Sequence, residues 1–414
     1  MPAIPRVLAL SALLTACGAA PAGPDATSPA TTTDAVADTS AGPTDTTQAV
    51  PGDSSTTSPT GGSASDSLGG TTSGSSGDPP TTDPPTTGAT TTGATTTGAT
   101  TTSTTQPEST STGESPLLTL EHVQVKGTHN SYHLEPAFPV DATHEYSHAP
   151  LADQLESQGV RAFELDVHEG FSDFEVFHIS VVDSETTCAT LHGCLGQLAN
   201  WSQAHPQHLP LIVWIEIKDQ TGGFPIDAAD LDTMDDVIRE AVPPGQLFTP
   251  DELQADHPSL RAAIDQDGWP ALDAVRGQML VVLLNVDDDH ASEYTQGYTT
   301  LAGRAMFARA TPAQFALPWA AIAKLGIGDD GDIAAAHAAH LLIATNVCSA
   351  GDADDVCAAR SLAAQAAGIH MLKDDFPAVI DGKAYALDFP DGNPARCNPV
   401  TAPPQCTSLA LEDL

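Results

Sequence analysis

Three short segments carry side chains able to do acid–base and metal chemistry. They read Lys126-Gly-Thr-His129-Asn130-Ser131, Glu164-Leu-Asp166-Val-His168 and Glu216-Ile-Lys218-Asp219. Each closes an apolar run. Glu164 and Asp166 are two residues apart, so on a strand they share one face, as do Glu216 and Lys218. Glu164 sits among Ala162, Phe163, Leu165 and Val167, where a carboxylate is costly unless paired or metal-bound. Asn130, Glu164, Asp166 and Glu216 offer the hard oxygens that Ca2+ prefers. A second histidine in an apolar setting, His178, follows in Phe174-Glu-Val-Phe-His178-Ile-Ser. His129 and His178 beside such a site could act as general base and general acid. Taken singly, a strand-end histidine or a Glu-x-Asp pair is most often structural. At successive strand ends they form a coherent set.

The elements that must position them are strands. Apolar runs with the look of buried parallel strands recur at 123–125, 162–167, 211–217, 279–284, 305–307, 341–344 and 369–372. An eighth is not clear from the pattern. Helical patterns fall between them: Leu151 to Gly159, Ile226 to Val242, and an Ala-rich stretch from Val356 to Ala367 stopped by Gly368. Such alternation fits a βα barrel or a doubly wound sheet. No Gly-rich nucleotide-binding signature follows a strand. In a βα barrel the functional residues sit at the C-terminal strand ends, where these segments lie.

The first part of the chain is of another kind. No Phe, Trp or Tyr occurs before Tyr132, and between residues 18 and 115 the only Val, Leu or Ile are Val36, Val50 and Leu68. Such a segment cannot bury enough apolar surface to offset ordering. Residues 1–16 combine Arg6 with the apolar run Val7 to Leu14, a short export signal rather than a span of about 20 apolar residues. Leu14-Thr-Ala-Cys17 reads as a lipobox, which makes Cys17 the lipidated first residue of the mature chain. Residues 17–115, with three tandem Gly-Ala-Thr-Thr-Thr pentamers from Gly88, are then a coil of roughly 50–60 Å root-mean-square span. A catalytic domain follows over 116–414. The reading places it outside the cell, anchored at the bacterial outer membrane or the surface.

The six remaining cysteines form three close pairs, Cys188 with Cys194, Cys348 with Cys357 and Cys397 with Cys406. Short separations favour these as disulfides. A zinc site competes, but no pair has C-x-x-C spacing. The formal charge is −40, and 44 acids against 13 bases lie after residue 115. That excludes a basic nucleic-acid footprint and electrostatic docking on anionic lipid.

Gly127-Thr-His-Asn-Ser-Tyr-His133, Pro150-Leu-Ala-Asp-Gln-Leu155, Gly159-Val-Arg-Ala-Phe-Glu-Leu-Asp166, Phe174-Glu-Val-Phe-His178 and Pro210-Leu-Ile-Val-Trp-Ile-Glu-Ile-Lys-Asp219 resemble the phosphatidylinositol-specific phospholipase C superfamily, most closely its calcium-dependent bacterial branch. The resemblance is specific over 120–220 and weaker beyond, where His370-Met-Leu-Lys-Asp-Asp-Phe-Pro377 is similar to the last barrel strand. It implies a distorted TIM (βα) barrel. It also implies attack of the inositol 2-hydroxyl on phosphorus, releasing diacylglycerol and a cyclic inositol phosphate. By position His129 is the base and His178 the acid, Asn130, Glu164, Asp166 and Glu216 hold Ca2+, and Lys218 and Lys373 are candidates for phosphate contact or plain surface lysines. The expected partners are the phospholipid or inositol phosphodiester substrate and, through the lipid anchor, a membrane. The domain reads as a monomer. A related barrel phosphodiesterase acting on glycerophosphodiesters, sphingomyelin or lysophospholipids is one alternative, and a stalked module that only binds or adheres is another. The acidic surface also makes a soluble inositol phosphodiester or a glycolipid conceivable.

Overall fold

The computed structural model describes residues 117–412, apart from 172, 219–223, 287–288 and 391–392. The export signal, Cys17, the tether and Asp219 lie outside the described residues.

Ten strands form one sheet: β1 (Val123–Thr128), β2 (Ala162–His168), β3 (Glu175–Val176), β4 (Leu211–Ile217), β5 (Met279–Leu283), β6 (Met306–Ala310), β7 (Ile322–Lys324), β8 (Leu342–Asn346), β9 (Met371–Asp374) and β10 (Ala395–Cys397). Eight of them run parallel in the order β1-β9-β8-β7-β6-β5-β4-β2, and β1 pairs with β2 to close the ring. The strands are Val-, Ile- and Leu-rich and buried almost throughout, as parallel strands covered on both faces must be. The expected TIM barrel is present, and its distortion is local. The β1–β2 seam holds only the pair Gly127↔Ala162. Antiparallel β10 takes the first half of β1 (Val123↔Cys397 to Val125↔Ala395), and antiparallel β3 takes the end of β2 (Val167↔Val176, His168↔Glu175). Gly127 is required there, because a Cβ would lie 3.0 Å from both Ala162 Cβ and Lys373 Cγ.

The barrel strand missed in the sequence is β7, along with the short flanking strands β3 and β10. β7 has three residues inside Trp319-Ala-Ala-Ile-Ala-Lys324, too short and too rich in alanine for a period to register. The connection into it is a single 3₁₀ turn, Pro312–Gln314. The expected helices appear as Leu151–Glu156, Ala228–Ala241 and Asp354–Ala366. Ala228–Ala241 opens on Asp227, whose carboxylate accepts from Ala229 N and Asp230 N, satisfying free amides and the helix dipole. The disulfides Cys188–Cys194, Cys348–Cys357 and Cys397–Cys406 form as paired above.

Candidate active site

The parallel strands all end at one mouth, and the chemistry-bearing residues gather there. β1 ends in Thr128, and Asn130 turns the chain at φ 44°, a left-handed conformation that Asn tolerates better than most residues. The turn is pinned by Ser131 N–H donating to Glu164 O at 2.9 Å and by Glu164 N–H donating to Ser131 Oγ at 2.8 Å. Glu164 and Asp166 both point into the barrel and are fully buried. With Glu216 they bring carboxylate oxygens within 4.8 Å of one another. Glu164 Oε1 and Asp166 Oδ1 are buried without a hydrogen-bond partner. Burial and the neighbouring Glu216 and Glu164 push the Asp166 carboxyl up to about 7, against the pull of Lys218. Orphaned oxygens in a three-carboxylate cluster with Asn130 beside it make a donor set that fits Ca2+.

Three lysines share the cluster. Lys218 Nζ lies 3.4 Å from Asp166 Oδ2 and 3.1 Å from Glu216 Oε1. Lys373 and Lys324, the latter at 3.7 Å, pair with Glu164 Oε2. Burial alone would raise the Glu164 carboxyl, but Lys324, Lys373 and His129 outweigh it and hold it below the usual range.

The two histidines are wired alike. His129 Nδ1 faces Asp375 Oδ1 at 2.9 Å, and His178 Nδ1 faces Asp183 Oδ2 at 2.7 Å. Both aspartates are buried. A carboxylate only accepts, so each ring carries a proton on Nδ1 and keeps Nε2 clear of that contact. The imidazoles are 26% and 22% exposed, enough to be reached. Burial lowers both rings' affinity for a second proton. At His129 Asp375 and Glu164 reverse this and raise its pKa, whereas at His178 burial wins and the pKa falls. Asp375 is fixed by its other oxygen, which accepts from Ala350 N–H at 2.8 Å. Asp183 is fixed by a tight turn: Ile179 and Asp183 exchange backbone hydrogen bonds, and Val182 N–H donates to Ser180 O around Val181 at φ 73°. A β-branched residue there is strained.

A family model described as "Phosphoinositide phospholipase C, Ca2+-dependent" matches residues 118–173 and 171–399. The chain belongs to that family. The phospholipase C from Streptomyces antibioticus, a Ca2+-dependent enzyme specific for phosphatidylinositol, is 21% identical over 63% of this chain and 95% of its own, with a TM-score of 0.48. A calcium-dependent phosphoinositol-specific enzyme from Pseudomonas sp is 20% identical over 64% and 93%, TM-score 0.46. A Staphylococcus aureus phosphatidylinositol-specific phospholipase C is 11% identical over 64% and 90%, TM-score 0.37. No curated protein matches the chain. Membership makes the protein a phospholipase C of the phosphatidylinositol type, with a phosphoinositide lipid as substrate and Ca2+ as the family's cofactor. It weighs against the glycerophosphodiester, sphingomyelin and adhesion alternatives.

Within this phospholipase C, His129, Asn130, Glu164, Asp166, Glu216 and Lys218 come together at one mouth, with His178 on the hairpin after β3. Lys218 sits on the carboxylates. Lys373 is wholly buried, with Nζ on Glu164 and 4.9 Å from the Trp214 ring centroid. Burial and nearby Lys324 take its ammonium down to about 7 despite Glu164. It braces the barrel interior through its pairing with Glu164.

Sequence reasoning missed Asp375, Asp183 and Lys324. Asp375 adjoins the quoted Lys-Asp-Asp run, and Asp183 lies five residues after His178, so a search for carboxylate partners near each histidine and strand end had signals to find. Lys324, Arg309 and Arg360 also line a pocket of about 370 Å³ beside the mouth, with Thr345 and Asn346. Finally, Phe138, Phe171, Val181, Phe224 and Val379 are exposed, and each lies on a loop after β1, β2, β3, β4 or β9. An apolar rim on the functional face is the mark of an interaction surface.

Proposed function

We propose that the protein cleaves phosphatidylinositol-type lipids at a bilayer surface by paired histidine catalysis, in a Ca2+-dependent reaction. The observation that carries this reading is the matched pair of His–Asp units, His129–Asp375 and His178–Asp183, together with the three-carboxylate cluster. His129 Nε2 takes the proton of the inositol 2-hydroxyl while Asp375 holds the ring and steadies the imidazolium. The alkoxide attacks phosphorus. His178, acting as an imidazolium with Nδ1–H held on Asp183, delivers its Nε2 proton to the departing diacylglycerol oxygen and is left neutral. The products are diacylglycerol and a cyclic inositol phosphate. Asn130, Glu164, Asp166 and Glu216 would hold Ca2+, which when bound supplies positive charge to the phosphoryl oxygens and the nucleophile. Lys218 is positioned to exchange its carboxylate partners for a phosphate oxygen, and the Arg309–Lys324–Arg360 pocket suits an anionic headgroup.

The apolar rim supports a bilayer substrate over a soluble one. It lets an acidic domain engage lipid by insertion rather than by charge. Among the described residues no helix is long and apolar enough to cross a membrane. The proposed attachment is the lipidated Cys17 and the 17–115 tether, at the outer membrane or cell surface. Cys17→Ser is expected to release the protein from membranes.

Leaving-group chemistry tests the assignment of base and acid. His178→Ala is expected to lose about 10³-fold or more on phosphatidylinositol, but little on an inositol phosphate ester with an activated aryl leaving group, which needs no acid. His129→Ala is expected to lose both activities. Equal losses for the two variants on both substrates would overturn the assignment.

A further inference from the structure

Beside the calcium cluster lies a second set of convergent ligands with different chemistry. Asp183 is fully buried and surrounded by three imidazoles. His133 Nε2 is 2.8 Å from Oδ1, and His178 Nδ1 and His144 Nδ1 are 2.7 and 3.6 Å from Oδ2. Two independent features mark this cluster as more than a hydrogen-bond network. His133 has an acceptor at each ring nitrogen, Tyr146 O at 3.1 Å from Nδ1 and the Asp183 carboxylate at Nε2. A neutral imidazole carries one N–H, so one contact joins two acceptors unless a second proton or a cation lies between them. His144 Nδ1 is buried with no hydrogen-bond partner, although it faces the carboxylate.

We propose that His133, His144, His178 and Asp183 form a transition-metal site, of the zinc class, separate from the calcium site. Three imidazole nitrogens and one carboxylate oxygen suit tetrahedral Zn2+ and do not suit Ca2+, which takes six to eight oxygens. A tetrahedral ion about 2.1 Å from each donor spaces the donors about 3.4 Å apart. His133, His178 and Asp183 bring ligand atoms within 4.8 Å of one another, and His144 Nδ1 faces the same carboxylate at 3.6 Å, so rotation of the His144 ring toward the other three would complete the sphere. The two sites therefore sort cations by donor type.

The consequence for turnover rests on His178 as the general acid. In that role its ring must carry protons on both nitrogens. A metal ion on Nδ1 takes the place of one proton, so the ring no longer reaches the imidazolium form and cannot deliver a proton to the leaving oxygen. Zinc then inhibits without displacing calcium.

The test uses the full chain, stripped of metal with chelator, dialysed and saturated with calcium chloride. Zinc sulfate is titrated by calorimetry, and cobalt(II) chloride is followed by absorbance. The expected result is uptake of one equivalent of zinc that excess calcium does not reverse, the strong visible bands of tetrahedral cobalt, and loss of lipid cleavage as zinc fills the site. His144→Ala, outside both His–Asp pairs, is expected to keep calcium-dependent cleavage while weakening zinc binding and inhibition about 100-fold. If that variant does not fold, judged by circular dichroism, the wild-type cobalt spectrum decides. No zinc uptake in calcium-loaded protein, displacement by calcium, an octahedral cobalt spectrum, or zinc binding unchanged in His144→Ala would each overturn the site. Zinc uptake that depends on His144 but leaves cleavage untouched would support the site and overturn His178 as the acid.

Discussion

Asp375→Asn separates orientation of the base from the mere presence of a polar group. Asp375 holds His129 Nδ1 through one oxygen at 2.9 Å and accepts from Ala350 N–H through the other at 2.8 Å. In the variant the amide oxygen must stay on the Ala350 N–H, which turns the amide NH2 toward His129 Nδ1. That nitrogen then has to accept, so the ring's one proton moves to Nε2, the atom that should take the proton of the inositol hydroxyl. Losing a correctly protonated base costs about 10³- to 10⁴-fold, or roughly 4–5.5 kcal/mol at the barrier. A simply weakened hydrogen bond would cost about 1 kcal/mol, less than tenfold. The pH profile carries a second signature. Burial lowers the His129 pKa, and Asp375 is the largest of the influences that raise it. The base must be unprotonated to work, so the ascending limb of kcat/KM against pH follows that pKa. Without the aspartate the pKa falls, so the limb moves to lower pH while the plateau drops. The assay is kcat/KM on phosphatidylinositol from about pH 5 to 9 at saturating calcium, with thermal melting as a fold control. A loss below tenfold with an unmoved limb would refute the tautomer reasoning.

Three further outcomes follow from the same structure. Lys218→Met removes the ammonium that sits between Asp166 and Glu216, so calcium affinity by calorimetry should tighten at least about tenfold, about 1.4 kcal/mol, while cleavage slows; weaker calcium binding would contradict the competition. Phe171→Ser with Phe224→Ser removes two exposed rim aromatics, each contributing about 1.5–3 kcal/mol on insertion, so KM on vesicles should rise more than tenfold with a short-chain monomeric substrate unaffected; equal changes on both would sink the rim's role. His370 is buried and neutral, with Nδ1 accepting from Ile343 N–H and Nε2–H donating to Glu121 O. Burial takes its pKa down to about 3 from 6.5, so its contribution to stability is complete above pH 6.5 and lost progressively as pH falls below it. Urea unfolding of His370→Leu should show a correspondingly smaller drop between pH 7 and 4.5, and an unchanged drop would contradict this.

The sequence was most legible where chemistry and periodicity coincide. Glu164 and Asp166 declare themselves because an i, i+2 acid pair inside an apolar strand has few uses other than pairing or metal binding. Gly127 is legible as a close approach only once Ala162 and Lys373 are seen against it. Asp375 meets His129 across 246 residues, and no local pattern encodes that contact; only barrel closure brings β9 beside β1. Lys373 shows the converse. Its type suggested a phosphate contact or a surface lysine, and its place on β9 buries it on Glu164 rather than leaving it at the surface. β7 is hidden by its length, and the grip of β3 and β10 on the β1–β2 seam rests on strands of two and three residues, below the reach of a hydrophobic period.

Histidine-driven cyclisation at a calcium-loaded mouth is the step on which the proposed function rests. Its most direct measurement is phosphorus NMR of phosphatidylinositol vesicles with the full chain, in calcium and in chelator. A cyclic inositol phosphate is expected as the first phosphorus product in calcium, and its loss in chelator. A linear inositol phosphate formed from the outset, no cleavage at all, or the same rate in chelator would contradict that step.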